Sequence, residues 1–167
     1  MVSEKTAVAL GYFDSLHLWH REFISAAVNS KFIPAVFTFY SETGKKGEKP
    51  FLDEETKRNL IEEMGVKVYA CPPFSEIKGL SYKEFFDEIL VKRLSASLLV
   101  CGEDFRFGKD REGDTEKLSL LCKERGITLI TVPILTKNNK KISTTEIRAL
   151  IKEKEISLAE DMLGRRI

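Results

Sequence analysis

Short apolar runs alternate along this chain with longer segments whose apolar residues recur every three or four positions. The runs 7–10 (AVAL), 33–40 (IPAVFTFY), 66–71 (VKVYAC), 97–101 (SLLVC) and 127–135 (ITLITVPIL) have the length and the β-branched or aromatic content of buried strands. Helical spacing follows the first run in Phe23, Ile24, Ala26, Ala27 and Val28. After the second, Asp53 caps a helix with Leu60, Ile61 and Met64 on one face, closed by Gly65. A helix over 81–94 opens on a Ser81/Glu84 capping box and presents Phe85, Phe86, Ile89, Leu90 and Leu94. Another, with Leu118, Leu120 and Leu121, is capped by Asp114 and stopped by Gly126.

Strands alternating with helices predict an α/β fold, a parallel five-stranded sheet with helices on both faces and right-handed crossovers. Ligands of such sheets bind at the carboxyl ends of the strands, where the strand order reverses. The segment 41–50 holds Gly44, Gly47 and three lysines with nothing to bury, and reads as a mobile loop. Asn138-Asn139 marks a turn after the fifth strand. Ser143 with Glu146, and Ser157 with Glu160, read as capping boxes of two short C-terminal helices.

A chain of 167 residues with 43% hydrophobic content suits one domain across 1–167. With 27 basic and 26 acidic residues the formal charge is +1, so no global field draws the molecule to nucleic acid or membrane. An anionic ligand must therefore be caught locally. Cys71, Cys101 and Cys122 are odd in number and scattered, which favours reduced core thiols over disulfides or a zinc site. The N-terminus lacks the features of a signal peptide and no apolar run approaches membrane-spanning length, so a cytoplasmic location is expected. The oligomeric state is not readable.

Three polar clusters lie beyond strands or at helix starts. In 11–20 (GYFDSLHLWH), His17 and His20 occupy a strand-to-helix junction, where unpaired N–H groups and the helix dipole suit phosphate. A helix cap with two solvated imidazoles fits the same spacing. In 104–108, Phe105 and Phe107 read as core anchors of a loop, and Phe105 reads equally as a stacking surface. In 143–148, Ser143, Thr144 and Thr145 offer hydroxyls beside free backbone N–H groups, and Arg148 can fork two phosphate oxygens; plain capping accounts for the hydroxyls as well. No arrangement suggests a covalent nucleophile, a Walker A lysine or a G-x-G-x-x-G loop. Many phosphate-directed donors without a nucleophile suit direct in-line transfer between two bound substrates.

With those clusters placed, the chain resembles the nucleotidyltransferase domain of bacterial FAD synthetase, the FMN adenylyltransferase half of the bifunctional riboflavin kinase/FMN adenylyltransferase family. Residues 11–20 look like that family's G-x-F-D-G-x-H-x-G-H, 100–108 (VCGEDFRFG) like V-V-G-x-D-F-R-F-G, and 142–148 (ISTTEIR) like I-S-S-T-x-I-R. The stretches 111–114 (REGD) and 163–166 (LGRR) match as well. The resemblance implies a Rossmann-like fold of the HxGH nucleotidyltransferase type. It implies that AMP passes from ATP to FMN, giving FAD and pyrophosphate, with Mg²⁺ travelling on the ATP. By position, His17, His20 and Arg148 would be catalytic. Gly11, Phe13, Asp14, Gly102, Lys141, Ser143, Thr144 and Thr145 would hold the nucleotide, and Asp104, Phe105 and Phe107 the flavin.

The chain departs from the family in three places. Trp19 stands where the family has glycine between the histidines; its indole would obstruct the nucleotide, turn into solvent or stack on the adenosine. The family's T-F-D-P-H-P appears here as 38–43 (TFYSET), so Tyr40 replaces the acid at the flavin phosphate end, with Glu42 as a possible substitute. No kinase domain follows Ile167, so no kinase activity is expected. Trp19 and Tyr40 also fit an alternative, a catalytically weak relative that binds a nucleotide or flavin.

Overall fold

The computed structural model describes residues 2–41 and 48–167. The expected loop around Gly44 and Gly47, and the Glu42 substitution, lie outside the described residues. Five parallel strands form the sheet: β1 (Thr6–Leu10), β2 (Ile33–Phe37), β3 (Val68–Ala70), β4 (Ala96–Gly102) and β5 (Thr128–Val132), in the order β3-β2-β1-β4-β5. The chain builds outward from β1 through β2 to β3, then returns to the other side of β1 for β4. The strand order therefore reverses between β1 and β4, as in Rossmann-like sheets.

Strict alternation along β1 sorts the core into two layers. Ala7 and Ala9 face a cluster with Phe13, Phe23, Ile24, Ile61, Ile147 and Met162. Val8 and Leu10 face the other, with Phe85, Phe86, Leu90, Leu118 and Cys122. The first cluster is covered by α1 (Leu18–Val28), α2 (Glu54–Glu63), α6 (Thr144–Lys152) and α7 (Ile156–Leu163). The second lies under α4 (Tyr82–Glu84, continued as Phe85–Arg93) and α5 (Thr115–Arg125). The single turn α3 (Phe74–Ile77), a 3-10 turn at Lys109–Arg111 and a hairpin of β6 (Thr136–Lys137) and β7 (Lys140–Lys141) complete the described elements; sequence periodicity finds none of them.

Caps fix the helix starts largely where the sequence places them. Asp53 and Asp114 accept the N–H groups of Thr56 and Lys117 at 2.7 and 2.9 Å. Ser81 and Glu84 form the reciprocal box. Gly126 ends α5 at φ 68°, and Gly65 follows α2 at φ 105°. Three expectations need correction. The 81–94 helix is α-helical only over its first turn, then widens to i→i+5 bonding, as in the 3.1 Å bond from Leu94 N–H to Ile89 carbonyl. Ser143 does cap α6, but Glu146 does not reach back to it; Glu146 pairs instead with Lys140 at 3.2 Å. Ser157 lies inside α7 rather than capping it, because Lys154 at φ 64° reverses the chain early enough for the helix to start at Ile156.

Strand ends also move inward. β2 stops at Phe37 although the apolar run goes on to Tyr40, which is held beside Pro72 and Pro73 by bonds of 2.9 and 2.8 Å. The prolines lack the N–H groups to continue a ladder. Pro133 ends β5 in the same way. The thiols of Cys101 and Cys122 are buried and Cys71 is half-buried, all three free. Burial pushes them up to about 12, 11 and 12 respectively, so they are inert at neutral pH.

Candidate functional site

The chain leaves β1 through Gly11 and turns sharply into α1, with Phe13 at φ 56° and Leu16 at φ 49°. Non-glycine residues in the left-handed region cost energy and persist only where the surroundings hold them. Two contacts do so here. Phe13 is fully buried, with its ring edge against His20 at 5.1 Å and Phe23 at 6.3 Å. Arg165, beyond the end of α7, donates to the carbonyls of Ser15 and Leu16 at 2.6 and 3.1 Å.

His17 is the N-cap of α1: its Nδ1 accepts the His20 N–H at 3.2 Å. The two imidazoles stack with centroids 3.7 Å apart. His17 is only 3% exposed, and burial, aided by the Lys141 and Arg165 cations, pushes its pKa down to about 3. At neutral pH it is uncharged, and because Nδ1 accepts, its proton is on Nε2. His17 can thus offer an anion an N–H but no positive charge. The cationic share must come from elsewhere.

Part of it comes from the N-terminus of α6. Thr144 Oγ1 lies 2.9 Å from Ser15 Oγ, so the starts of α1 and α6 meet beyond the carboxyl end of β1. Each start has backbone N–H groups without helical partners and carries partial positive charge. Ser143 is consumed in capping, while Thr145 is exposed. One turn along α6, Arg148 faces the same loop. Its guanidinium is paired with Asp14 at 3.5 Å and Glu48 at 3.3 Å, and it donates to the Lys49 carbonyl. Asp14 also accepts the Phe51 N–H at 2.7 Å, so its carboxylate positions Arg148 and the 50s loop.

The β4 side supplies the rest. Lys141 of β7 reaches Asp104 at 2.7 Å, with its ammonium 5.3 Å above the Trp19 ring. Phe105 stacks on Phe107 at 5.5 Å. Phe107 is buried against Phe85 and backbone-paired to Gly113, which makes it an anchor of the loop; Asp104 and Phe105 are the members that reach the surface. Trp19 turns into the protein and is 5% exposed, so of the three positions open to its indole from sequence the solvent-facing one is not taken. Gly102 lies against it with no room for a side chain: a Cβ there would sit 2.7 Å from Trp19 Cζ2.

Sequence reading missed Lys57, a lysine only 4% exposed whose Nζ touches the Tyr12 carbonyl, Thr38 Oγ1 and Glu54 at 3.3, 3.4 and 3.4 Å. It borders a small recess at the ends of β1 and β2 lined by Tyr12, Phe39, Tyr40 and Leu52. The signal was its place one turn before Ile61, on the apolar face of α2. Arg165 was missed for a different reason: its partners are carbonyls 149 and 150 residues away.

A Rossmann-like sheet with two helix N-termini joined at its strand-order reversal defines the class, a Rossmann-like α/β domain. Comparison with known proteins narrows the class. Residues 1–146 match the family described as FAD synthetase, and the chain belongs to it. It is 32% identical to the bifunctional riboflavin kinase/FMN adenylyltransferase of Bacillus subtilis (strain 168), over 96% of this chain and 54% of that protein. It is 28% identical to the FAD synthetase of Listeria monocytogenes, over 97% of this chain and 70% of that protein. The chain spans about half the length of most curated relatives it matches. Among solved structures, one titled as a macrolide-efflux protein from Streptococcus pneumoniae superposes with a TM-score of 0.82 at 26% identity, covering 99% of this chain and 57% of that one. Pantothenate synthetase from Thermus thermophilus shares the fold, with a TM-score of 0.55 at 15% identity over 93% of this chain and 70% of that one.

Proposed function

We propose that this chain transfers the adenylyl group of ATP to the phosphate of FMN, giving FAD and pyrophosphate. The observation that carries this reading is the 2.9 Å contact between Ser15 and Thr144, which fuses two helix N-termini into one polyanion cradle. Family membership supplies the substrates, since relatives are described as FMN adenylyltransferases.

A phosphate oxygen of FMN attacks the α-phosphorus of ATP; the bond to it forms as the bond to the β-phosphate bridge oxygen breaks, and the electron pair leaves with pyrophosphate. No proton transfer is needed, because nucleophile and leaving group are both anionic. Catalysis then rests on alignment and on meeting charge as it moves to the leaving oxygens. His17 gives the triphosphate a neutral Nε2–H, with His20 stacked against it. Thr144, Thr145 and the backbone N–H groups of α6 receive the tail. Arg148 exchanges its contacts with Asp14 and Glu48 for phosphate oxygens, and Lys141 leaves Asp104 for the same purpose. Gly11 and Phe13 form the floor through their backbone. Asp104 and Phe105 face the flavin, over a base set by Phe107. Mg²⁺ accompanying the ATP would neutralise triphosphate charge, and Asp14 and Asp104 are the carboxylates that would be available to help hold it.

The test is incubation with FMN, ATP and Mg²⁺, with FAD as the expected product; ligand binding without turnover would favour the weak relative instead. His20→Ala and Arg148→Ala should each lower the rate by about 10²-fold or more while FMN affinity changes little. Unchanged turnover in both variants would rule out the site.

A further inference from the structure

Trp19 is the sole tryptophan of the chain and lies at the point where the strand order reverses. Three residues assigned above to the candidate site enclose its indole. His17 lies parallel to it at 6.4 Å, Lys141 stands over its face at 5.3 Å, and Gly102 meets its edge. At that edge Cζ2 and Cη2 would be 2.7 and 2.8 Å from a Cβ on Gly102, so the ring fills the space that the missing side chain leaves. Gly102 is the last residue of β4, where ligands of such sheets bind. The indole occupies that space, with Phe23 packed edge-on behind it at 5.2 Å.

The closed position is not fully satisfied. Trp19 Nε1 is buried and has no hydrogen-bond partner among the described residues. It is bonded to the ring carbon that also bears Cζ2, so it lies toward Gly102. A buried N–H without an acceptor is unfavourable, and moving the ring or meeting an acceptor relieves that cost. Lys141, tied to Asp104 at 2.7 Å, stands over the ring from above.

From this geometry we infer that Trp19 is a specificity-determining door on the nucleoside end of the site: its indole fills the space a purine base must enter, and binding the base displaces it. The triphosphate tail binds outside the door, among the helix N-termini, and does not need it open. The inference rests on the adenylyltransferase reading for the identity of the ligand. A door closed nine-tenths of the time weakens apparent affinity about tenfold.

The emission of Trp19 reports on the door without a substitution. In the free protein it should be blue-shifted and shielded from acrylamide. ATP with Mg²⁺ should change its wavelength and its quenching, whereas pyrophosphate should change neither. Trp19→Ala should bind ATP about tenfold more tightly by calorimetry, with pyrophosphate affinity unchanged, and Trp19→Phe, which keeps an aromatic ring in the core, should fall between. ATP bound equally by all three proteins, with tryptophan emission unaltered, would overturn the door and leave the adenylyltransferase reading standing. Failure of all three to bind ATP would remove both.

Discussion

His17 shows how capping a helix leaves an imidazole with a single tautomer. Its Nδ1 is committed to the His20 N–H, and this fixes the tautomer that points Nε2–H away from the helix. The depressed pKa makes folding sensitive to acid in a defined direction. Below about 6.5 the unfolded chain protonates this imidazole and the folded protein does not, so the unfolded state binds more protons. The stability due to His17 is therefore fully present above about 6.5 and is lost progressively as the pH falls toward about 3. His17→Asn keeps an acceptor in the Nδ1 position and removes the titration. Its melting temperature should fall less steeply between pH 6.5 and 4 than that of the parent protein, as followed by circular dichroism; parallel profiles would mean that His17 is protonated in the fold. The histidines were visible in the sequence, but the depression of the pKa was not, because burial comes from side chains brought in by distant elements.

At the scale of elements, local chemistry was legible wherever a start or stop is decided within four residues. Asp53, Asp114 and the Ser81/Glu84 pair cap as their spacing demands, and Gly126 closes α5. The Ser143 and Ser157 motifs look alike in sequence, yet only Ser143 caps, since the reversal at Lys154 starts α7 before Ser157. Ser143→Ala should therefore cost about 1 kcal/mol in urea unfolding, while Ser157→Ala should stay within about 0.5 kcal/mol. Equal losses would mean that both serines cap. The β6 and β7 hairpin escaped detection because its strands are two residues long and exposed, leaving no alternation to read. Its turn was legible: Asn138 and Asn139 take φ values of 53° and 62°, which asparagine tolerates. That hairpin matters, since it presents Lys141 to Asp104 and Trp19.

For the whole molecule, β1 couples the two cores. Ala7 and Ala9 belong to one and Val8 and Leu10 to the other, so neither layer can loosen without disturbing the strand they share. Trp19 reports on the first core, whereas Leu90, fully buried, lies in the second. Leu90→Ala should cost about 2–5 kcal/mol, and its urea midpoint should shift equally by tryptophan emission and by far-ultraviolet circular dichroism. Separate midpoints would show that the layers unfold independently. No helix among the described residues is long and apolar enough to cross a membrane.

The alternating pattern determined five strands, their helices and the parallel sheet, because period and capping are properties of neighbouring residues. It also picked out the histidine turn, the Asp104 loop and the Thr144 turn as polar clusters beyond strands or at helix starts. Tertiary structure decided how they combine. Ser15 meets Thr144 across 129 positions, Arg165 clamps the turn before His17 from the far end of the chain, and Lys57 is drawn into the protein beside Tyr12. It also decided that Trp19 lies inward against Gly102. Such contacts depend on which surfaces the sheet order brings together, and no periodicity in the sequence encodes the distance between two side chains on different elements.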